Sequence, residues 1–436
     1  MKKYCIVLLT TLFLLACPNK SLGQPHIISS DIELFWSAFD RVTATTDTVK
    51  QDRILQEEYI SKGSPGLHAM MHVRNYTVQD YRNAINNYPK FWASIRDNTA
   101  KAKHLQTDLG EGVQKLKVVY PELRHAKIYF TVGAMRSNGT TLDSMVLIGS
   151  EFAMADKQTA TSEFPEQMKG LRTFFDSEPI KDLVLLNVHE YVHTQQSPMI
   201  DNLLSQCLYE GVAEFVSVKA MGQPSAAPAI EYGKANEEKV KRAFERDMFV
   251  NGKTSQWLWS NQPNAFNTRD MGYFIGYAIC ERYYNASADK HKAIKHMIEL
   301  DHTNDAEIEA FVDWTGFFSA PLGQLFTRYD ASRPTVVSIS PQVDSTSLVD
   351  PKLKRLTLTF SEPMNKERRG FDFGPLGEEN ALFVQQIIGF SEDGLQFTFE
   401  VDLKPGRTYQ SLASNRFEAA TGIPMKPYLI YFTTVN

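Results

Sequence analysis

Apolar residues recur at helical spacing through the first quarter of the chain. Ile32, Phe35, Trp36 and Phe39 fall on one helix face, and Tyr81, Ile85, Tyr88, Phe91, Trp92 and Ile95 repeat the pattern around Pro89. From about Asp31 to Leu116 this pattern predicts helices. The period then changes. Ala126 to Val132 reads as a strand, Asn138-Gly139 as a turn, and Ser144 to Phe152 as a second strand holding Met145-Val146-Leu147-Ile148-Gly149. A hairpin or small sheet is expected there. Pro179 suits the first turn of a helix running from Ile180 to about Gln196, and Pro198 ends that run. A second helix is expected from Leu203 to Ala220, then the Gly, Pro and Ala-rich loop 222–227. More helices follow to about Tyr329, including Asp270 to Tyr284 and Ala288 to Leu300.

Past Arg333-Pro334 the pattern shortens. Val336–Ile339, Leu356–Phe360, Leu382–Ile388, Leu395–Val401 and Tyr428–Thr434 alternate or run apolar. Pro341, Pro363-Met364-Asn365, Asp393-Gly394, Pro405-Gly406 and Gly422 separate them. Short strands at this spacing predict a small all-β sandwich. The fold class expected is therefore α+β: a mostly helical domain with a small sheet over 24–332, its N-terminal part helical to about 125, then a β-sandwich over 333–436.

The first residues read as a secretion signal. Lys2 and Lys3 precede an apolar run from Cys5 to Cys17 that is too short to span a bilayer. Ser21-Leu22-Gly23 offers a cleavage site before Gln24. Leu14-Leu15-Ala16-Cys17 offers a bacterial lipobox that would leave a lipid on Cys17. Leu15 is the less usual residue at its position, so cleavage before Gln24, with 1–23 as signal peptide, is preferred. Both exits take the protein out of the cytoplasm, to periplasm, outer membrane, cell surface or medium. No other apolar stretch is long enough for a membrane helix.

Composition narrows the picture only by exclusion. The 436 residues carry a net charge of -5 with Lys and Arg scattered, which argues against nucleic acid and anionic membrane surfaces as partners. Cys207 and Cys280, the two cysteines beyond the signal, do not make a disulfide framework; an exported protein could pair them, but two buried thiols is the preferred reading.

One constellation carries chemistry. His189-Glu190-Tyr191-Val192-His193 places two imidazoles four residues apart, on one helix face, where both can reach one metal ion. Glu190 lies one position on, where it can take a proton from a metal-bound water as general base. On the second helix Glu210 can complete a three-ligand set for Zn2+. Glu214, one turn further, can accept a hydrogen bond from a ligating imidazole. Downstream, Gly272-Tyr273-Phe274-Ile275-Gly276-Tyr277 puts two phenols on one face as candidate oxyanion donors, Tyr277 first and Tyr273 second; aromatic core packing is the alternative. His68 with His72, and His291 with His296, read as core or surface histidines.

His-Glu-x-x-His followed by Glu210-Gly211-Val212-Ala213-Glu214-Phe215 resembles the gluzincin metallopeptidases, with its nearest local match in the aminopeptidase-type stretch Asn-Glu-Gly-Phe-Ala-Glu-Tyr. The resemblance covers Leu183 to Phe215. It implies a zincin-like fold, zinc on His189, His193 and Glu210, Glu190 as base, and a peptide or protein substrate. The Gly-rich exopeptidase motif is absent. The Tyr273–Tyr277 segment is similar to predicted bacterial zinc proteases. Leu358-Thr359-Phe360-Ser361-Glu362-Pro363-Met364, Leu403 to Tyr409 and the ending Tyr431-Phe432-Thr433-Thr434 resemble bacterial Ig-like domains, which implies a spacer, a substrate-presenting module or a means of surface attachment. The expected function is a secreted or envelope zinc-dependent metallopeptidase, a hydrolase. The alternative is a catalytically inactive zincin-fold lipoprotein of the envelope that binds or braces other components, a reading kept open by the resemblance to gliding-motility lipoproteins.

Overall fold

A computed structural model describes residues 26–259 and 264–436. The signal-peptide reading, with Cys17 and Gln24, lies outside them. The fold class is α+β. The chain divides into two compact units, Met1–Gln196 with Ala213–Ala226 and Asp289–Glu299, and Ser197–Val212 with Ala227–Ala288 and Leu300–Asn436.

In the first unit, helices enclose a four-stranded sheet of order β1-β2-β4-β3, with β1 at Ile27–Ile28, β2 at Lys127–Thr131, β3 at Gly139–Leu142 and β4 at Met145–Gly149. β2 pairs parallel with β1 and with β4, and its residues from Ile128 on are buried. A near-continuous apolar run suits a strand covered on both faces. The helix Ser30–Thr43 buries Phe35 and Trp36 against Trp92. The helix Pro65–Arg74 packs so close to β2 that a Cβ on Gly66 would lie 2.2 Å from the Tyr129 ring.

The predicted hairpin takes a different form. The two strands foreseen, β2 and β4, run parallel, and the hairpin partner of β4 is the short β3. Its turn is at Asp143-Ser144, with Asp143 at φ 51°, and not at Asn138-Gly139. Gly139 is demanded by close packing rather than by a turn: a Cβ there would sit 2.6 Å from a Glu190 carboxylate oxygen.

The second unit combines helices with a β module. Its sheets have orders β5-β7-β10-β9 and β6-β12-β11-β8. The strands are β5 (Val336–Ser340), β6 (Leu348–Val349), β7 (Arg355–Phe360), β8 (Phe371–Asp372), β9 (Val384–Phe390), β10 (Gln396–Val401), β11 (Thr408–Ala413) and β12 (Tyr428–Thr434). β7 and β10 alternate as an amphipathic strand must, burying Leu356, Leu358 and Phe360, and Phe397, Phe399 and Val401. These meet Tyr409, Ala413, Ile430 and Phe432 of the other sheet in one core. Cys207 and Cys280 are buried free thiols.

Candidate functional site

The helix Leu183–His193 is apolar for most of its length and is pinned near its end. The Tyr191 hydroxyl accepts the Ala126 N–H at 2.7 Å and donates to the Arg124 carbonyl, just before β2. Gln195 accepts the Arg124 N–H at 2.8 Å. This anchoring fixes the face that carries His189 and His193, both buried.

Each imidazole has its Nδ1 committed. His189 Nδ1 lies 3.0 Å from a Glu214 carboxylate oxygen, and the other Glu214 oxygen accepts from the Ser225 hydroxyl. His193 Nδ1 lies 2.6 Å from Gln196 Oε1. A carboxylate and an amide oxygen only accept, so both Nδ1 atoms carry the proton. Both Nε2 atoms then present lone pairs, and they face each other at 3.1 Å.

Glu210 stands one helical turn before Glu214 on the helix Leu203–Met221. His189, His193 and Glu210 each offer a ligand atom, all within 4.8 Å of one another, and all three residues are buried. The nitrogen and oxygen donor set suits zinc. Glu190 lies against the backbone of Gly139, whose carbonyl accepts from Ser137 at 2.7 Å and Arg74 at 3.2 Å.

The helix Met271–Ala286 touches the Glu210 helix backbone to backbone. A Cβ on Gly211 would meet Gly276 at 2.2 Å, and one on Gly276 would meet the Cys207 carbonyl at 1.9 Å. Gly276 thus lets the two helices meet without a side chain between them. Of the two phenols singled out, Tyr273 has Glu210, Asp270 and Trp259 around it. Burial, then the negative charges of Glu210 and Asp270, hold its phenol well above the usual range. Tyr277 lies under the Lys234 ammonium, which is 4.7 Å from its ring centre. His68 bonds the Ile60 carbonyl and His72, His291 and His296 are exposed, so none joins a second cluster.

Sequence reasoning missed Gln196, Ser225 and Trp259. Gln196 follows His193 by three residues, a spacing that signals a shared helix face. Ser225 and Trp259 reach their partners from loops, which leave no periodic signal.

The sequence model of the family described as gliding motility protein GldB matches residues 23–307. No curated protein matches the chain. Among solved structures, one of surface layer protein SbsC, domains 1-6, aligns at 14% identity over 76% of this chain and 45% of that one. The N-terminal part of the same S-layer protein aligns at 13% identity over 93% and 70%. Both have a TM-score of 0.18. The chain spans under half the length of the first.

These findings correct the peptidase reading. The matched region contains the whole constellation from His189 to Tyr277, and its family is one of motility proteins, not of peptidases. The hydrolase and protease assignments fall with it. The reason is physical. Spacings of four residues specify which side chains share a helix face; they specify nothing about turnover. No described helix is long and apolar enough to cross a membrane, and the protein's place is the cell envelope or surface. By the match over most of its length, the chain belongs to the gliding motility protein GldB family.

Proposed function

We propose that this protein is a non-catalytic, lipid-anchored component of a bacterial gliding apparatus, working at the envelope by binding other envelope proteins. The family match over residues 23–307 carries this reading. The lipoprotein character of the family favours Cys17 as the lipid attachment point over cleavage before Gln24. In this reading the helical part is a zincin-like scaffold, and the Ig-like β module over 333–436 spaces it or docks a partner. His189, His193 and Glu210 hold a zinc ion as a brace. Their ligand atoms, two imidazole nitrogens and a carboxylate oxygen, lie within 4.8 Å of one another, which supports this reading.

The test is chromosomal replacement in a gliding bacterium that encodes the chain. Deletion abolishes colony spreading. Cys17→Ser leaves the protein unanchored and spreading lost, while Glu190→Gln spreads like the parent. Normal spreading of the deletion strain would remove the gliding role. Loss of spreading in Glu190→Gln, with protein level, location and metal content unchanged, would overturn the non-catalytic reading.

A further inference from the structure

We infer that the outer face of the β6-β12-β11-β8 sheet is an interface between two copies of this chain, paired sheet face to sheet face about a two-fold axis. The inference goes beyond the envelope role proposed above and needs neither the lipid nor the ion.

Strand alternation fixes which residues lie on that face. Tyr409 and Ala413 of β11, with Ile430 and Phe432 of β12, turn to the module's core. The residues between them turn outward. Gln410 stands opposite Tyr431, Leu412 opposite Leu429, and Thr433 beside Leu348 of β6. β6, β11 and β12 contain no charged residue at all. The segment that follows β8 folds onto the same face. A Cβ on Gly374 would lie 2.6 Å from the Gln410 Cβ and 3.2 Å from a Leu429 methyl, and the Leu376 N–H donates to the Gln410 side chain. This fold covers the Gln410 amide but leaves Phe373 and Leu376 in water, at 55% and 48% exposure, near Leu429. Leu348 is 73% exposed.

The opposite sheet of the sandwich shows what a water-facing surface looks like here. On its outer face Arg355 pairs with Glu400, and the Thr357 and Thr398 hydroxyls meet at 2.9 Å. Both sheets pack on one core, so the core does not demand the difference. Single apolar side chains on a surface are ordinary; a contiguous group of them marks a face that a partner covers.

Charge selects the partner. A nucleic acid or an anionic lipid surface is held by cations, and these three strands supply none. An apolar, uncharged face is matched by another of the same kind, and a second copy brings one. Asp372, the register partner of Leu412 on β8, is bonded by Arg416 of its own chain, so pairing does not set unmatched carboxylates against each other. Sheet faces stack at about 10 Å. A patch that meets its own copy closes as a two-fold dimer and does not grow into a filament.

The experiment is sedimentation velocity over a concentration series. The purified full chain carries Cys17→Ser and is kept in chelator, so that neither a lipid nor an ion joins copies. This parent passes from monomer to a species of twice the mass as concentration rises. Leu429→Lys and Leu348→Lys each set like charges face to face and raise the dissociation constant at least about 30-fold, the effect of one central interface residue. Gln396→Lys, exposed on the other sheet, leaves it unchanged. All three variants keep the parent's melting temperature where the parent is monomeric. If Leu429→Lys does not fold, Leu348→Lys decides, because its side chain is the more exposed. A parent that stays monomeric at every concentration overturns the inference. So does a dimer that Gln396→Lys weakens as much as Leu429→Lys does. Flotation of a monomeric parent with neutral phosphatidylcholine vesicles, lost in Leu429→Lys, would assign the face to a lipid surface and overturn the pairing as well.

Discussion

Between β5 and β12 the buried polar residues are Gln410, Ser411, Ser414 and Thr434, none of which ionises near neutral pH. Around β2 to β4 and the helices that follow, the buried polar residues include Asp31, Glu151, His189, Glu190, His193, Glu210 and Glu214. The β module keeps its charges on outer faces and fills its interior with Phe, Leu, Ile and Val. The other region takes ionisable groups out of water, which costs several kcal/mol for each one not matched by a partner. Such groups persist where they hold backbone or a ligand in place. The module is therefore built for stability, and the region around His189 gives up stability to fix particular atoms.

The sharpest way to break this comparison is to cut the module's core. Phe397 is fully buried, with the rings of Phe390, Phe399 and Phe417 within 6.1 Å of its own. Phe397→Ala is expected to cost about 3–5 kcal/mol in denaturant unfolding. A loss under about 1 kcal/mol would show that the module's interior does not carry its stability.

The next effect is a pH dependence. The Glu151 oxygens receive the N–H of Gly133 at 2.9 Å and of Met135 at 3.1 Å, with Met135 at φ 64°. Burial, against those hydrogen bonds, pushes its carboxyl up to about 7. The folded protein then holds a proton that the unfolded chain releases near pH 4.5. This contribution is fully present below about 4.5 and is lost as pH rises through about 7, roughly 3 kcal/mol in all. Unfolding at stepped pH should show wild type weakening between pH 5 and 7, and Glu151→Gln weakening far less. Parallel curves would remove Glu151 as the cause.

Third is the ion. With free zinc about a hundredfold above its dissociation constant, binding to the folded state adds about 3 kcal/mol, which a chelator withdraws. Thermal unfolding of wild type should respond to zinc and chelator, and His193→Ala should not. An equal response in both would place the metal elsewhere.

How far the sequence could be read follows the same division. β7 and β10 were plain from alternation, since each faces water on one side. β11 was missed because Tyr409, Gln410 and Ser411 are buried in succession and show no alternation. Gln410 is tolerated there because its side-chain oxygen accepts the Leu376 N–H at 3.0 Å. The parallel pairing of β2 with β4 was also hidden: sequence shows a strand's faces, not its neighbour's direction. At the site, His189, His193, Glu210 and Glu214 were legible from helix geometry. Ser225 and Trp259, contributed by loops, were not, and neither was membership of a motility family, which no spacing encodes.

The smallest effect tests the other half of the comparison, that charge in the module is inexpensive because water shares it. Arg355 and Glu400 are register partners across β7 and β10, with their side chains 2.9 Å apart and 66% and 28% exposed. Cross-strand charge pairs of this kind contribute about 0.2–1 kcal/mol, and salt screens them. Arg355→Gln should therefore lose under about 1 kcal/mol in urea unfolding, and the difference should shrink as salt is raised. A larger loss that persists in high salt would mean this pair is shielded from water. The outer face of the sheet would then be covered, and the contrast with the buried ionisable groups near His189 would narrow to one of degree.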